Sequence, residues 1–172
     1  MIRTLKTASA VFVAGLVAGL VASAPAHAQD GTFTTESLTP EAAVTLAQAT
    51  LKACRDGGYQ VAVAVVDKGG NVQALIRDRY AGAHTPRTAT LKAYTAVSFR
   101  TNTTQLAENS QAGQEGSGVR DIPGVLALGG GVMIEKAGSL IGAVGVSGAP
   151  TGTLDEDCAK KGLESIMDVL AF

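Results

Sequence analysis

With an N-terminal apolar segment set aside, one imidazole is left in this sequence. It is His84, in the run Tyr80-Ala81-Gly82-Ala83-His84-Thr85-Pro86-Arg87. Thr85-Pro86 reads as a helix start, Thr capping and Pro in the first turn. His84 therefore sits where a side chain can project over a helix N-terminus. Two chemistries suit it. One is a hydrogen bond to a loop carbonyl. The other is axial ligation of haem iron, which needs one imidazole, apolar walls and cations for the propionates. Arg77, Arg79, Arg87, Lys92 and Arg100 all fall nearby in the chain.

Other reactive patterns fail on spacing. Gly142-x-x-Gly145-x-x-Gly148 has the wrong first interval for a dinucleotide fingerprint, and no helix follows at once. Gly129-Gly130-Gly131 lacks the Lys-Ser/Thr of a phosphate loop. Gly145-Val146-Ser147-Gly148-Ala149 has Ala where a nucleophile elbow ends in Gly. A Ser-His-Asp triad would have to recruit His84 itself. Bare glycines in strands permit tight packing and sharp turns, and equally the close approach of a flat ligand. The thiols are Cys54 and Cys158, with no C-x-x-C or H-x-x-x-H spacing to make a metal site. One bridge between them and two buried thiols packing as small apolar groups both fit the sequence.

The elements that would position these residues follow from caps and periodicity. Thr39-Pro40-Glu41 starts a helix on which Ala43, Leu46, Ala47, Thr50 and Cys54 recur at helical spacing, ended by Gly57-Gly58. Val61–Val66, the turn Asp67-Lys68-Gly69-Gly70-Asn71 and the alternating Val72–Arg77 predict a β-hairpin. A helix follows from Thr85 to about Phe99, and Asn102-Thr103-Thr104-Gln105 predicts another cap with Gln reaching back. From Val125 the pattern turns extended. Val132–Glu135 and Leu140–Ser147 flank Lys136-Ala137-Gly138-Ser139 as a second hairpin. Thr153-Leu154-Asp155-Glu156 predicts a capping box for a last helix with Ala159, Leu163, Ile166 and Leu170 on one stripe. Hairpins with helices around them make an α+β fold.

The first 28 residues have the parts of a cleavable secretion signal. Arg3 and Lys6 precede the apolar run Ala8–Ala22, and Ala26-His27-Ala28 is a small-residue cleavage site. The run is shorter than the roughly 20 residues a bilayer-spanning helix needs. The expected organisation is thus a signal over 1–28, a flexible lead-in over 29–38 and one domain over 39–172, in a periplasmic or secreted protein with no membrane attachment after cleavage. Removing Arg3 and Lys6 takes the 14 basic residues to 12 against 15 acidic ones, a balance of −3. That balance argues against nucleic acid as the partner, because phosphate binding needs a concentrated basic face. Export also favours persistence of any disulfide.

Gly82-Ala83-His84-Thr85 with Lys92-Ala93-Tyr94-Thr95-Ala96 resembles the GlcG/HbpS family, the haem-degrading domain family. Val65–Gly70, Gly129–Val132, Ile141–Ala149 and Asp155–Ala159 resemble it too, in the family's order, so the resemblance spans nearly all of the chain after Thr39. It implies a profilin-like α+β fold with a five-stranded antiparallel sheet flanked by helices. It implies a homo-oligomer, with octamers among the family's assemblies, and haem as cofactor, ligated by a histidine in one branch and approached by a threonine in another. His84 and Thr85 match those positions, with Arg79, Arg87 or Lys92 near the propionates. Binding, sensing or buffering of haem is the expected role, rather than fast turnover. Two alternatives stand beside it. One is an enzyme or accessory protein for a small hydroxy acid or aldehyde, drawing on Ser147, Asp67 and the glycine strands. The other is a structural homo-oligomer without a ligand.

Overall fold

A computed structural model describes residues 31–167. The signal over 1–28, the start of the lead-in and Leu170 lie outside the described residues. From Thr35 onward the described residues belong to one compact unit.

Helix α1 (Pro40–Asp56) starts as its sequence requires, with the Thr39 hydroxyl accepting from the Ala42 amide at 3.2 Å. Strands β1 (Ala62–Asp67) and β2 (Val72–Arg77) pair antiparallel. Their turn is fixed by Asp67, whose Oδ1 accepts from the Gly69 and Asn71 amides, and by Gly70 at φ +83°. Helices α2 (Thr85–Phe99) and α3 (Thr103–Asn109) follow, then a 3₁₀ turn over Glu115–Asp121. Strands β3 (Gly131–Lys136) and β4 (Ser139–Ser147) form the second hairpin, and α4 (Gly152–Glu164) ends the fold.

The sheet order is β2-β1-β4-β3, with β1 and β4 paired at its centre. It has four strands, not the expected five. The extended segment after Val125 does not join it. There the Val125 amide turns back to Ile122, and the Leu126 amide donates to the Thr95 hydroxyl at 2.8 Å. Strand-like pairing resumes only where the Val146 amide meets the Gly130 carbonyl.

The two sheet faces are built from different residues. Val61, Val63, Val65, Val144 and Val146 pack with Leu46 of α1 and Ala159 of α4 in the larger core. The other face is made small. Ala62 and Ala64 meet Ala89, while Val66 and Ala143 meet Ala93 and Ala96. Alanine and glycine here let α2 lie close on the sheet. A Cβ at Gly145 would run into the Ala89 carbonyl and the Ala93 amide.

Three caps differ from expectation. At α2 the cap position falls on His84, and Thr85 is already inside the helix with its hydroxyl donating back to the Gly82 carbonyl instead of capping. Helix α4 is capped by Thr151, whose hydroxyl accepts from the Leu154 amide at 3.2 Å, so Thr153 is already inside it. Asp155 and Glu156 are thereby released for longer-range partners. At α3, Asn102 holds the cap position but its Oδ1 accepts from the Met133 amide at 3.0 Å, and Gln105 turns to Asn109 instead of reaching back. Tying β3 to the α2–α3 corner competes successfully with the local cap.

Candidate functional site

The first turns of α2 and α4, the end of β4 and the Leu126–Leu128 segment enclose a cleft of about 510 Å³. That volume lies in the range of small-molecule sites, about 300–1,000 Å³. His84, Thr85 and Lys92 line it, with Leu126 and Leu128 as apolar wall. These three sequence-predicted residues are thus brought together.

His84 holds the cap position of α2 without making a side-chain capping bond, and it is exposed. Its ring rests over Gly82. A Cβ there would come within 2.7 Å of Cε1 and 2.9 Å of Nδ1. The bare glycine therefore makes room for the Cε1–Nδ1 edge of the imidazole. Thr85 is buried, its hydroxyl donating to the Gly82 carbonyl at 2.8 Å. That bond stiffens the loop under the ring and leaves the Thr85 oxygen as an acceptor.

Lys92 lies deeper. Its Nζ donates to Asp155 Oδ2 at 2.7 Å and to the Val146 carbonyl at 3.0 Å, with both side chains almost fully buried. Asp155 Oδ1 accepts from the Ala149 amide at 2.9 Å. Burial pushes the Asp155 carboxyl above its ordinary value, and the Lys92 ammonium and the loop amides offset only part of that. The pair bolts α2, β4, α4 and the Gly148–Thr151 loop together beneath the cleft. Alongside it, Glu156 accepts from the Thr104 amide at 3.1 Å and pairs with Lys160 at 2.8 Å. Burial acts to raise the Glu156 carboxyl, but these partners outweigh it and hold it below its usual range.

Arg79 and Arg87 are not part of this lining. Arg79 borders a separate cavity with Arg55, Gln60, Asp78 and Tyr80. Arg87 is exposed on the first turn of α2. Asp67 is not assembled with Ser147 either. In the β1–β4 ladder Ser147 pairs with Ala62 and Gly142 with Asp67, so the two lie at opposite ends of the same strands. Asp155 is the site residue that sequence reasoning missed. It lies 63 residues from Lys92, and its position looked like a capping acid. Among the described residues no group of three His, Cys, Asp or Glu side chains gathers to hold a metal ion. Cys54 and Cys158 do meet, joining α1 to α4 with Cα atoms 5.1 Å apart.

Comparison with known proteins agrees with this architecture. The model of the family described as haem degrading protein HbpS-like matches residues 38–164. The crystal structure of a double mutant of Streptomyces reticuli HbpS is 38% identical, covers 84% of this chain and 98% of its own, and superposes with a TM-score of 0.75. A PduOC:haem complex is 29% identical over 71% of this chain and 89% of its own, with a TM-score of 0.67. An uncharacterized 15.0 kDa Citrobacter freundii protein encoded between dhaT and dhaS is 32% identical over 123 residues, 70% of this chain and 84% of that protein. On its sequence, its fold and its matched span, the chain belongs to the HbpS-like haem-degrading protein family.

Proposed function

We propose that this is an exported haem-binding protein that binds, senses or buffers haem. The observation carrying the reading is His84: an exposed imidazole, free of any capping bond, seated on Gly82 at a cleft with the leucine wall of Leu126 and Leu128. The residues fit the group. Haem would supply an iron centre able to accept the lone pair of a His84 ring nitrogen. This chain's own contribution is to orient the ring through Gly82 and Thr85 and to shield one side of the ligand with Leu126 and Leu128. Of the three cations expected near the propionates, Lys92 lines the cleft, and Arg87 is exposed on the first turn of α2 that borders it, while Arg79 faces a separate cavity. Membership of a haem-degrading family and likeness to a protein solved with haem support the same reading.

Titrating haemin into the mature protein tests it. A Soret band shifts and sharpens on binding to wild type, and His84→Ala removes that change. A spectrum identical in wild type and variant removes His84 as the ligand. Export is tested by sequencing the N-terminus of protein recovered outside the cytoplasm, which on this reading begins near Gln29.

Self-association belongs to the same proposal. The edge strand β2 leaves Val72 and Leu75 about half exposed, and Tyr94 and Leu128 also present apolar surface to solvent. Light scattering on the purified mature protein should return a mass several times that of one chain. A single-chain mass at micromolar concentration would overturn this part.

A further inference from the structure

Arg77 stands in the sequence among the cations around His84, but the fold commits its side chain to a different task. It ends β2, along which side chains alternate between the two faces of the sheet. Ala74 and Ile76 pack into the larger core, so Arg77 falls on the other face with Gln73 and Leu75. There its Nη2 donates to the carbonyl of Ala81, in the loop that joins β2 to α2. Ala81 keeps only 2% of its surface, so this carbonyl has almost no water to bond with instead.

The next carbonyls of the loop are held from the helix side. Gly82 accepts from both the amide and the hydroxyl of Thr85, at 3.0 and 2.8 Å. His84 accepts in the same way from Thr88, at 3.1 and 3.0 Å. The Ala81 amide bonds within the loop, to the Asp78 carbonyl at 3.2 Å. Among the described residues, the Arg77 bond is thus the one hydrogen bond that the sheet gives to residues 79–84. The His84 ring makes no capping bond and lies against Gly82, the residue that follows Ala81.

We infer that Arg77 is a positioning residue for His84, tying the seat of the imidazole to the sheet edge through Ala81 without touching a ligand. Loss of the guanidinium strands a buried carbonyl, and the loop relaxes, carrying Gly82 and the ring with it. A ligand held by a looser imidazole binds more weakly although no atom that touches it has changed. The effect on binding rests on the haem reading above; the effect on the free protein stands without it.

Arg77→Met keeps an apolar stem and removes every donor. Arg77→Lys restores a donor, and a single bond to a carbonyl is one that an ammonium can also make. Protein beginning at Gln29 has His84 as its one histidine, so the ring gives a single set of proton NMR signals. In ligand-free protein those signals should move toward free histidine in Arg77→Met and return toward wild type in Arg77→Lys. Haemin and haemin dimethyl ester should each bind about tenfold more weakly to Arg77→Met. The two losses should be equal, because positioning of the ring is blind to the propionates, and Arg77→Lys should recover both.

Ring signals unmoved by Arg77→Met overturn the inference, whatever haemin does. A loss confined to haemin and absent for the diester overturns it too, making Arg77 a propionate cation. So does an Arg77→Lys variant as weak as Arg77→Met. An Arg77→Met chain that fails to fold would also overturn it, since the role assigned is confined to the loop. If wild type takes up no haemin while the ring signals still follow the variants, the haem reading fails and the positioning of His84 stands.

Discussion

Lys92 and Asp155 keep 2% and 4% of their side-chain surface, an unusual place for two full charges. Each is tolerated because the other and the loop amides replace water. Removing one partner strands the other, so Lys92→Met should cost about 3–5 kcal/mol in urea unfolding. A Lys92→Met/Asp155→Leu double variant should recover most of that loss, since no buried charge is left. A double variant as unstable as the single one would show that the charges matter beyond their mutual pairing. At this scale the sequence was half legible. Gly82-Ala83-His84-Thr85 carried the candidate ligand because a local turn and a helix start put it in place. Asp155 was hidden, because its partner lies 63 residues away and the local pattern Thr153-Leu154-Asp155-Glu156 offered a simpler role. A cap motif describes only what a side chain could do nearby; packing of α4 on β4 decided otherwise.

Elements hold together here through small contacts that tolerate little change. Helix α2 lies so close to the sheet that Gly145→Ala would press a methyl group against the backbone of α2, where nothing flexible can yield. A loss of about 1–3 kcal/mol is expected from overpacking, read as a lowered urea midpoint, and an unchanged midpoint would refute the close packing. A different contact joins the end of α1 to the end of β2. Arg55 Nε and a terminal nitrogen donate to the two oxygens of Asp78 at 2.7 and 2.8 Å. Arg55 lowers the Asp78 carboxyl from its ordinary 3.8 to about 2, burial opposing the shift and the Arg79 amide adding to it. The unfolded chain takes up that proton near 3.8 while the folded one resists to about 2, so this contribution to stability is present above 3.8 and is lost as pH falls toward 2. Asp78→Asn should flatten the decline of stability across that interval, and a slope as steep as wild type would sink the assignment. Both hairpins and the long helices were legible, since turn residues and periodicity are local. The fifth strand that the family resemblance implies is absent from the sheet, and the segment from Val125, whose pattern turns extended, has its Val125 and Leu126 amides bonded to Ile122 and Thr95 instead. Whether an extended segment joins a sheet depends on what its backbone finds to bond with.

Across the whole molecule, helices α1 and α4 cover the same sheet face from opposite ends of the chain, and Gly162 of α4 packs directly on Thr50 of α1. Spacing alone left the two cysteines open between a bridge and a pair of buried thiols; this packing of α1 against α4 brings Cys54 and Cys158 together, 104 residues apart in sequence. A cross-link over a loop of that length acts chiefly on the unfolded chain, removing freedom worth about 4.7 kcal/mol in the chain-entropy account, with about 2–5 kcal/mol usual when a native bridge is lost. Such a bond persists only in an oxidising compartment, so it couples stability to the export proposed from the first 28 residues. Denatured, unreduced protein should show no titratable thiol, and denatured, reduced protein two. Reduction, or a Cys54→Ser/Cys158→Ser variant, should lower unfolding free energy by about 2–5 kcal/mol while leaving the haemin spectrum of the folded protein unaltered, because the bridge joins α1 to α4 within the core whereas His84 stands at the start of α2, and the Lys92–Asp155 pair holds the first turn of α4 at the cleft without the bridge. Two thiols counted before reduction would return Cys54 and Cys158 to the role of small apolar core residues, and a haemin spectrum that changed with reduction would show that the bridge is needed to hold the first turn of α4 at the cleft.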